Sequence, residues 1–206
     1  QLWDISKFRT APVTNFDWVF AQAATYSAAH AHPGVEAWNN HNFVFIGQYI
    51  LMDQYRIGRA LIELDTSQIS GQIAEATLFV CVMPYDWDPF HRAWRIRALD
   101  PGALQCPLQV SDYSVLRSCT TLWGQSAELA SVSPKEWIPI RLTQTGIDNL
   151  TIGGITRIAL RSNYDVTQDD GGMSGLDSEH VEVHGVKATQ NPAHSYAPPY
   201  LVVKLL

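Results

Sequence analysis

Gly58-Arg59-Ala60-Leu61-Ile62-Glu63-Leu64-Asp65-Thr66-Ser67-Gln68-Ile69-Ser70-Gly71-Gln72-Ile73-Ala74-Glu75-Ala76-Thr77-Leu78-Phe79-Val80-Cys81-Val82-Met83 reads as two β-strands joined by a short polar connection. Ala60, Ile62 and Leu64 fall on one face of an extended chain and Arg59, Glu63 and Asp65 on the other, the period-two signature of a half-buried strand, with Leu61 the one apolar exception. In the second strand Ala76, Leu78, Val80 and Val82 alternate with Thr77, Phe79, Cys81 and Met83. Both of its faces carry apolar groups, which suits a central strand covered on two sides.

Outward from this pair, strand patterns recur at residues 16–22, 43–51, 55–65, 73–83, 93–99, 137–142, 155–162, 179–187 and 199–206, separated by Gly, Pro, Asn, Asp and Ser. No segment has the period and length of a long helix; residues 143–150 and 21–31 have room for a turn each. Without helices to carry parallel crossovers, antiparallel pairing follows. The expected fold is all-β, an antiparallel two-sheet β-sandwich of jelly-roll type in a single domain, residues 15–206, preceded by an N-terminal arm, residues 1–14. Ile62, Leu64, Leu78, Val80, Ile158, Leu160, Val181, Val183, Leu201 and Val203 are expected in one core. A chain of 206 residues has length enough for it.

The Arg-small-Leu-Ile strand from Arg59, the Asp65-Thr66-Ser67-Gln68-Ile69 connection and the Ala76-x-Leu78-x-Val80 strand are similar to the front of the DNRLRE-type β-sandwich modules, related to carbohydrate-binding module family 96. Ser178-Glu179 and then Pro199-Tyr200-Leu201-Val202-Val203 resemble the closing strand of that family. Trp137 to Leu142, Thr145-Gly146-Ile147 and Ile158 to Ser162 resemble segments of its phage-borne and metagenomic relatives; Ala24 to His30 and Phe45 to Tyr49 match more loosely. The resemblance spans about two-thirds of the chain, and since fold alone names no chemistry it implies architecture first. It also implies that Glu179, at the Ser-Glu position, is a structural anchor whose carboxylate bonds backbone or an arginine.

Composition excludes several classes. A net charge of -6 and a pI near 5.6 argue against a nucleic-acid partner, which needs clustered Lys and Arg to neutralise phosphates. The densest basic stretch, His91 to Arg97, puts Arg95 and Arg97 on one strand face that Asp86, Asp88 and Asp100 balance. No run of about 18 apolar residues predicts a membrane-spanning helix. Three cysteines are too few for a disulfide scaffold and lack zinc-site spacing. Cys81 reads as a small core group, and Cys106 and Cys119 either pair in an extracellular protein or stay reduced.

Enzyme motifs are absent: no Gly-x-Ser-x-Gly elbow, His-Glu-x-x-His pair, Walker loop or dinucleotide fingerprint occurs. Glu36, Glu63, Glu75, Glu128 and Glu136 are isolated acids that nothing in the sequence brings together as a catalytic pair. The segment from Asn163 to Asp177 carries Asp165, Asp169, Asp170 and Asp177 among glycines, the oxygen-rich composition calcium takes, and also that of any solvated loop. Calcium is thus the one cofactor suggested. His180, Glu182 and His184 share a strand face, as zinc ligands or simply as a polar surface. Trp38 and the run Tyr85-Asp86-Trp87-Asp88-Pro89-Phe90 combine aromatic rings with polar groups suited to stacking on sugars, unless Trp87 and Phe90 cap the core instead. Asn149-Leu150-Thr151 is a glycosylation sequon in an expected turn. Leu2, Trp3, Ile5 and Phe8 make residues 1–14 too apolar for a free tail, so this arm is a candidate for assembly with a neighbour or for an edge strand of its own domain.

The function expected is a non-catalytic structural subunit or surface module of a virion or extracellular filament, self-associating or joined to other subunits. The alternative is a carbohydrate-binding module of an extracellular polysaccharide-active protein, with a polysaccharide-degrading enzyme a distant third.

Overall fold

The computed structural model describes residues 4–83, 90, 92–170, 172–175, 177–187 and 198–206. Its strands are β1 (Phe8–Ala23), β2 (Glu36–Trp38), β3 (Phe43–Leu51), β4 (Gln54–Asp65), β5 (Ile73–Cys81), β6 (Ile96–Leu99), β7 (Leu122–Ser126), β8 (Trp137–Leu142), β9 (Ile155–Ser162), β10 (Ser178–His184) and β11 (Tyr200–Leu205). Four short helices, α1 (Tyr26–Ala31), α2 (Asp112–Ser118), α3 (Gln144–Asp148) and α4 (Asn163–Thr167), lie in the connections. Three of them start at a hydroxyl cap: the Thr25, Thr143 and Ser162 side chains accept from the backbone N–H of Ala28, Gly146 and Asp165. The protein is all-β, with 48% of the described residues in strand and 15% in helix. Among the described residues no helix is long and apolar enough to cross a membrane.

All the paired strands are antiparallel. Pairing runs β4-β9-β6-β7-β8-β5-β11-β1 and returns from β1 to β4, so eight strands close a barrel; β3 and β10 extend the sheet from β4, and β2 pairs with β1. This differs from the expected two separate sheets. Closure depends on β1, which pairs Phe8–Pro12 with β11 and Val13–Ala23 with β4, the latter ladder shifting register between Val13 and Asn15. The boundary placed at residue 14 therefore falls inside a strand. Phe8 belongs to the barrel wall, Ile5 sits exposed in a single 3-10 turn before it, and Leu2 and Trp3 lie outside the described residues.

The ten residues expected in one core are all in the main buried cluster. A second cluster lies on the other side of β4. There Val19, Ile57, Leu61, Leu99 and Ala159 pack against Leu108, Tyr113 and Leu116 from the segment containing α2, with Tyr26 and Ala29 from α1. Leu61, the apolar exception of its strand, is explained by this second layer. Arg59 and Glu63 share that face and are buried, which corrects the solvent face expected for them. β5 differs in the opposite sense: on its outer face Glu75 is exposed and Thr77 and Phe79 remain only half-buried. Cys81, Cys106 and Cys119 are all free thiols.

Candidate functional site

In antiparallel strands, directly opposed residues share a sheet face. Trp38 opposes Trp18, which opposes Ala60; Glu36 opposes Phe20, Phe20 opposes Gly58, and Gly58 opposes Gly47; Tyr49 opposes Arg56; Phe45 opposes Glu182. One continuous face thus gathers side chains from β1, β2, β3, β4 and β10. Trp18, Phe20, Trp38, Phe43, Phe45 and Tyr49, with Glu36, Arg56 and Glu182, line a cleft of about 290 Å³. That is the small end of the range for ligand sites, which are aromatic and apolar with a few placed polar groups.

Trp18 is the hub. Its ring lies 6.0 Å from Trp38 at an interplanar angle of 10°, 5.6 Å from Phe20, and 5.8 Å from both Phe43 and Phe45. The indole nitrogens of Trp18 and Trp38 are buried with no acceptor among the described residues. Two glycines make the packing possible. A Cβ at Gly58 would run into the Phe45 ring, and Gly47, at φ +121°, lets the backbone of β10 approach where a Cβ would strike the Glu179 carbonyl.

Two half-buried histidines flank the lining, His180 on the same sheet face as Glu182 and opposite Gly47. His41 sits edge-on to Trp38 at 4.8 Å and to Phe43 at 4.7 Å; His180 lies 4.8 Å from both Phe45 and Tyr49. Burial lowers the His41 pKa, helped by the charge of Lys187, and pushes that of His180 down to about 4. Both imidazoles are therefore neutral at pH 7, and His180 Nδ1 hydrogen-bonds with the Ser178 hydroxyl while its ring packs on Phe45 and Tyr49. The polar groups facing the lining are the exposed Glu36, the half-buried Glu182, and Arg56, whose guanidinium donates to the Tyr49 hydroxyl at 3.1 Å. The cleft thus holds two carboxylates against one guanidinium.

Other expected site residues lie elsewhere. Asp165 is fully buried: Arg59 Nε and Nη2 donate to its two oxygens at 2.8 and 2.7 Å, and Arg161 Nε donates at 2.6 Å. Burial alone would raise its pKa, but the two guanidiniums hold the carboxyl well below the usual carboxylate range. Arg59 also donates to the Tyr113 carbonyl and stacks 3.9 Å from that ring. Asp165 is a fully buried structural anion already matched by two guanidiniums, which takes it out of the calcium set.

Asp169 accepts from Arg92 at 3.1 Å, Asp170 from the Gly172 N–H at 3.0 Å, and Asp177 from the Ser174 N–H at 2.7 Å. These are turn caps and a surface pair. No group of three His, Cys, Asp or Glu side chains among the described residues could hold a metal ion. Glu179 is buried, accepting from Arg92 Nε at 2.5 Å and Gln48 Nε2 at 2.8 Å, and Arg92 spreads over the Tyr164 ring at 3.3 Å.

Phe90 is a core residue, edge-on to Trp94 at 5.5 Å, which corrects its assignment to a glycan platform; Tyr85 and Trp87 lie outside the described residues. Of the two described residues of the expected aromatic set, Trp38 reaches the cleft and Phe90 does not. Asn149 is exposed at the end of α3, its amide donating to the Thr145 carbonyl at 2.8 Å. Trp18, Phe20, Phe43, Phe45 and Tyr49 were not singled out from sequence as site residues. The available signal was the spacing of two between Trp18 and Phe20 and between Phe43 and Phe45, which places each pair on one strand face. No family model and no curated protein matches the chain.

Proposed function

We propose that the chain is a non-catalytic glycan-recognition module working outside the cytoplasm, on a virion surface or within an extracellular assembly. The observation that carries this is the cleft, in which six aromatic rings meet two carboxylates and a guanidinium. Aromatic faces stack on the apolar faces of sugar rings while carboxylates accept from hydroxyls. The resemblance to DNRLRE-type modules supports the same reading. A two-sheet jelly roll whose edges have zipped together is the form of that fold we propose for the closed ring. Titration of intrinsic tryptophan fluorescence with a panel of soluble oligosaccharides tests the function. Binding by at least one sugar is expected, with Trp38→Ala weakening it roughly tenfold; an unaffected W38A variant would place the site elsewhere.

A second reading, a structural subunit, is favoured by a different surface. On the outer wall of β8, β5 and β11, Trp137, Phe79 and Tyr200 form a half-buried aromatic strip, with Tyr200 5.2 Å from Phe79 and 5.1 Å from Trp137. Such strips mark contact surfaces between subunits. Concentration-dependent sedimentation that Trp137→Ser abolishes would favour it.

A further inference from the structure

We infer that the Tyr49 end of the aromatic cleft is an anion subsite, in which Arg56, Tyr49 and Gln22 select a glycan bearing a sulfate half-ester on the sugar next to the one stacked on Trp18 and Trp38. This rests on the glycan-binding reading of the same cleft and adds the charge and length of the ligand.

Arg56 is a half-buried guanidinium without a counter-ion. Its Nη1 donates to the Tyr49 hydroxyl at 3.1 Å, its Nε is buried with no acceptor, and no carboxylate among the described residues pairs with it. A charged donor left unmatched favours a ligand that brings an acceptor. The strand register sets neutral donors on both sides of it: Gln22 of β1 and Tyr49 of β3 each oppose Arg56, and Ser178 of β10 opposes Tyr49. The Tyr49 hydroxyl accepts from Arg56 and so keeps its own proton to donate. No acid stands in this row. Glu36 and Glu182 lie one and two side-chain rows along the face, each two strands from Arg56, which is roughly 10 Å sideways at the ordinary strand spacing. Salt screens exposed charges over that distance, whereas Arg56 acts at contact. The net charge of -6 slows the approach of a polyanion without setting the discrimination at the site.

Position fixes the rest. Ala60, opposite Trp18, and Arg56 are four residues apart on β4, roughly 13 Å at the rise of a strand. One sugar ring stacked on the Trp18–Trp38 pair does not span that, so the anion belongs to the next sugar. A sulfate half-ester offers three terminal oxygens, one each for Arg56, Tyr49 and Gln22, held away from the ring by the ester oxygen. A uronate offers two, fixed beside a ring carbon.

Cellotetraose, chemically sulfated cellotetraose and the glucuronate tetramer, titrated by calorimetry at low salt, decide the point. The sulfated tetramer is expected to bind about tenfold tighter than cellotetraose, the scale of one charge-assisted hydrogen bond, with glucuronate between them. Arg56→Gln, with circular dichroism unchanged, should erase the preference, and Tyr49→Phe should remove part of it. Arg141→Gln, which deletes an exposed charge from the outer wall of β8, should leave it intact. Added salt should erode the preference in the native protein. Equal or tighter binding of cellotetraose or glucuronate, or a preference that survives Arg56→Gln or high salt, overturns the inference and leaves the glycan reading intact. Binding of none of the three also overturns it, and a blank across the wider oligosaccharide panel removes the glycan reading with it.

Discussion

Asp165 ties two fully buried arginines, one from the middle of β4 and one from the end of β9, to the start of α4. A carboxylate so enclosed has exchanged its water for two guanidiniums, and its removal leaves two cations in a site that water cannot reach. Breaking a buried ion pair by deleting one partner costs about 3–5 kcal/mol. Asp165→Asn keeps the shape and loses the charge, so the denaturant midpoint should fall by that order, and a loss under about 1 kcal/mol would show that the network contributes no more than a surface pair. Arg59 reaches this site because a long side chain on the outer face of β4 meets α2, where Tyr113 supplies both a carbonyl and a ring face. From the sequence, Arg59 and Glu63 read as solvent-facing for want of any local sign that helices would cover them. The coverage comes from residues about fifty positions away.

At the scale of elements, β1 couples the ends of the chain. Its first five residues pair with β11 and the rest with β4, so removing residues 1–14 deletes the β11 pairing and leaves the ring open along β11. An open edge exposes unpaired backbone groups and the core behind them. The truncated chain should therefore lose cooperative unfolding and aggregate; a soluble monomer with an unchanged melting curve would mean that the ring does not need this strand. Strand alternation made β3, β4, β5, β8 and β9 legible to within a residue or two at most ends, because each buries a regular apolar face. Two elements escaped. β2 is three residues long, and β7, Leu122-Trp123-Gly124-Gln125-Ser126, carries a central glycine that breaks its pattern; a Cβ there would strike the Arg141 carbonyl of β8. Closure was invisible for a related reason, since it is set by which distant strands pair. The cleft shares this fate: its lining spans Trp18 to Glu182, and only the register of five strands brings those residues to one face.

For the molecule as a whole, the buried carboxylate and imidazoles act in one direction as pH falls, whereas Cys81, Cys106 and Cys119, whose thiols burial pushes up, lower stability as pH rises past their ordinary values. Asp165 has a pKa depressed below 3.8, so its contribution is complete above that value and disappears as pH falls through the folded pKa. His180 is depressed from 6.5 to about 4 by burial. Between those values the unfolded chain takes up the proton first, so stability falls as pH falls across that window and levels off below it. His30 and His41, both lowered chiefly by burial, add to the same slope. The melting temperature should accordingly be flat near pH 7, decline from about 6.5 to 4, and drop again in stronger acid as Asp165 protonates. His180→Gln should flatten the upper part of that decline and leave the lower part; because His180 stays neutral in the native protein down to about pH 4, ligand binding should hold across the same window. A melting temperature constant from pH 7 to 4.5 would mean that the packing around these imidazoles does not hold them neutral.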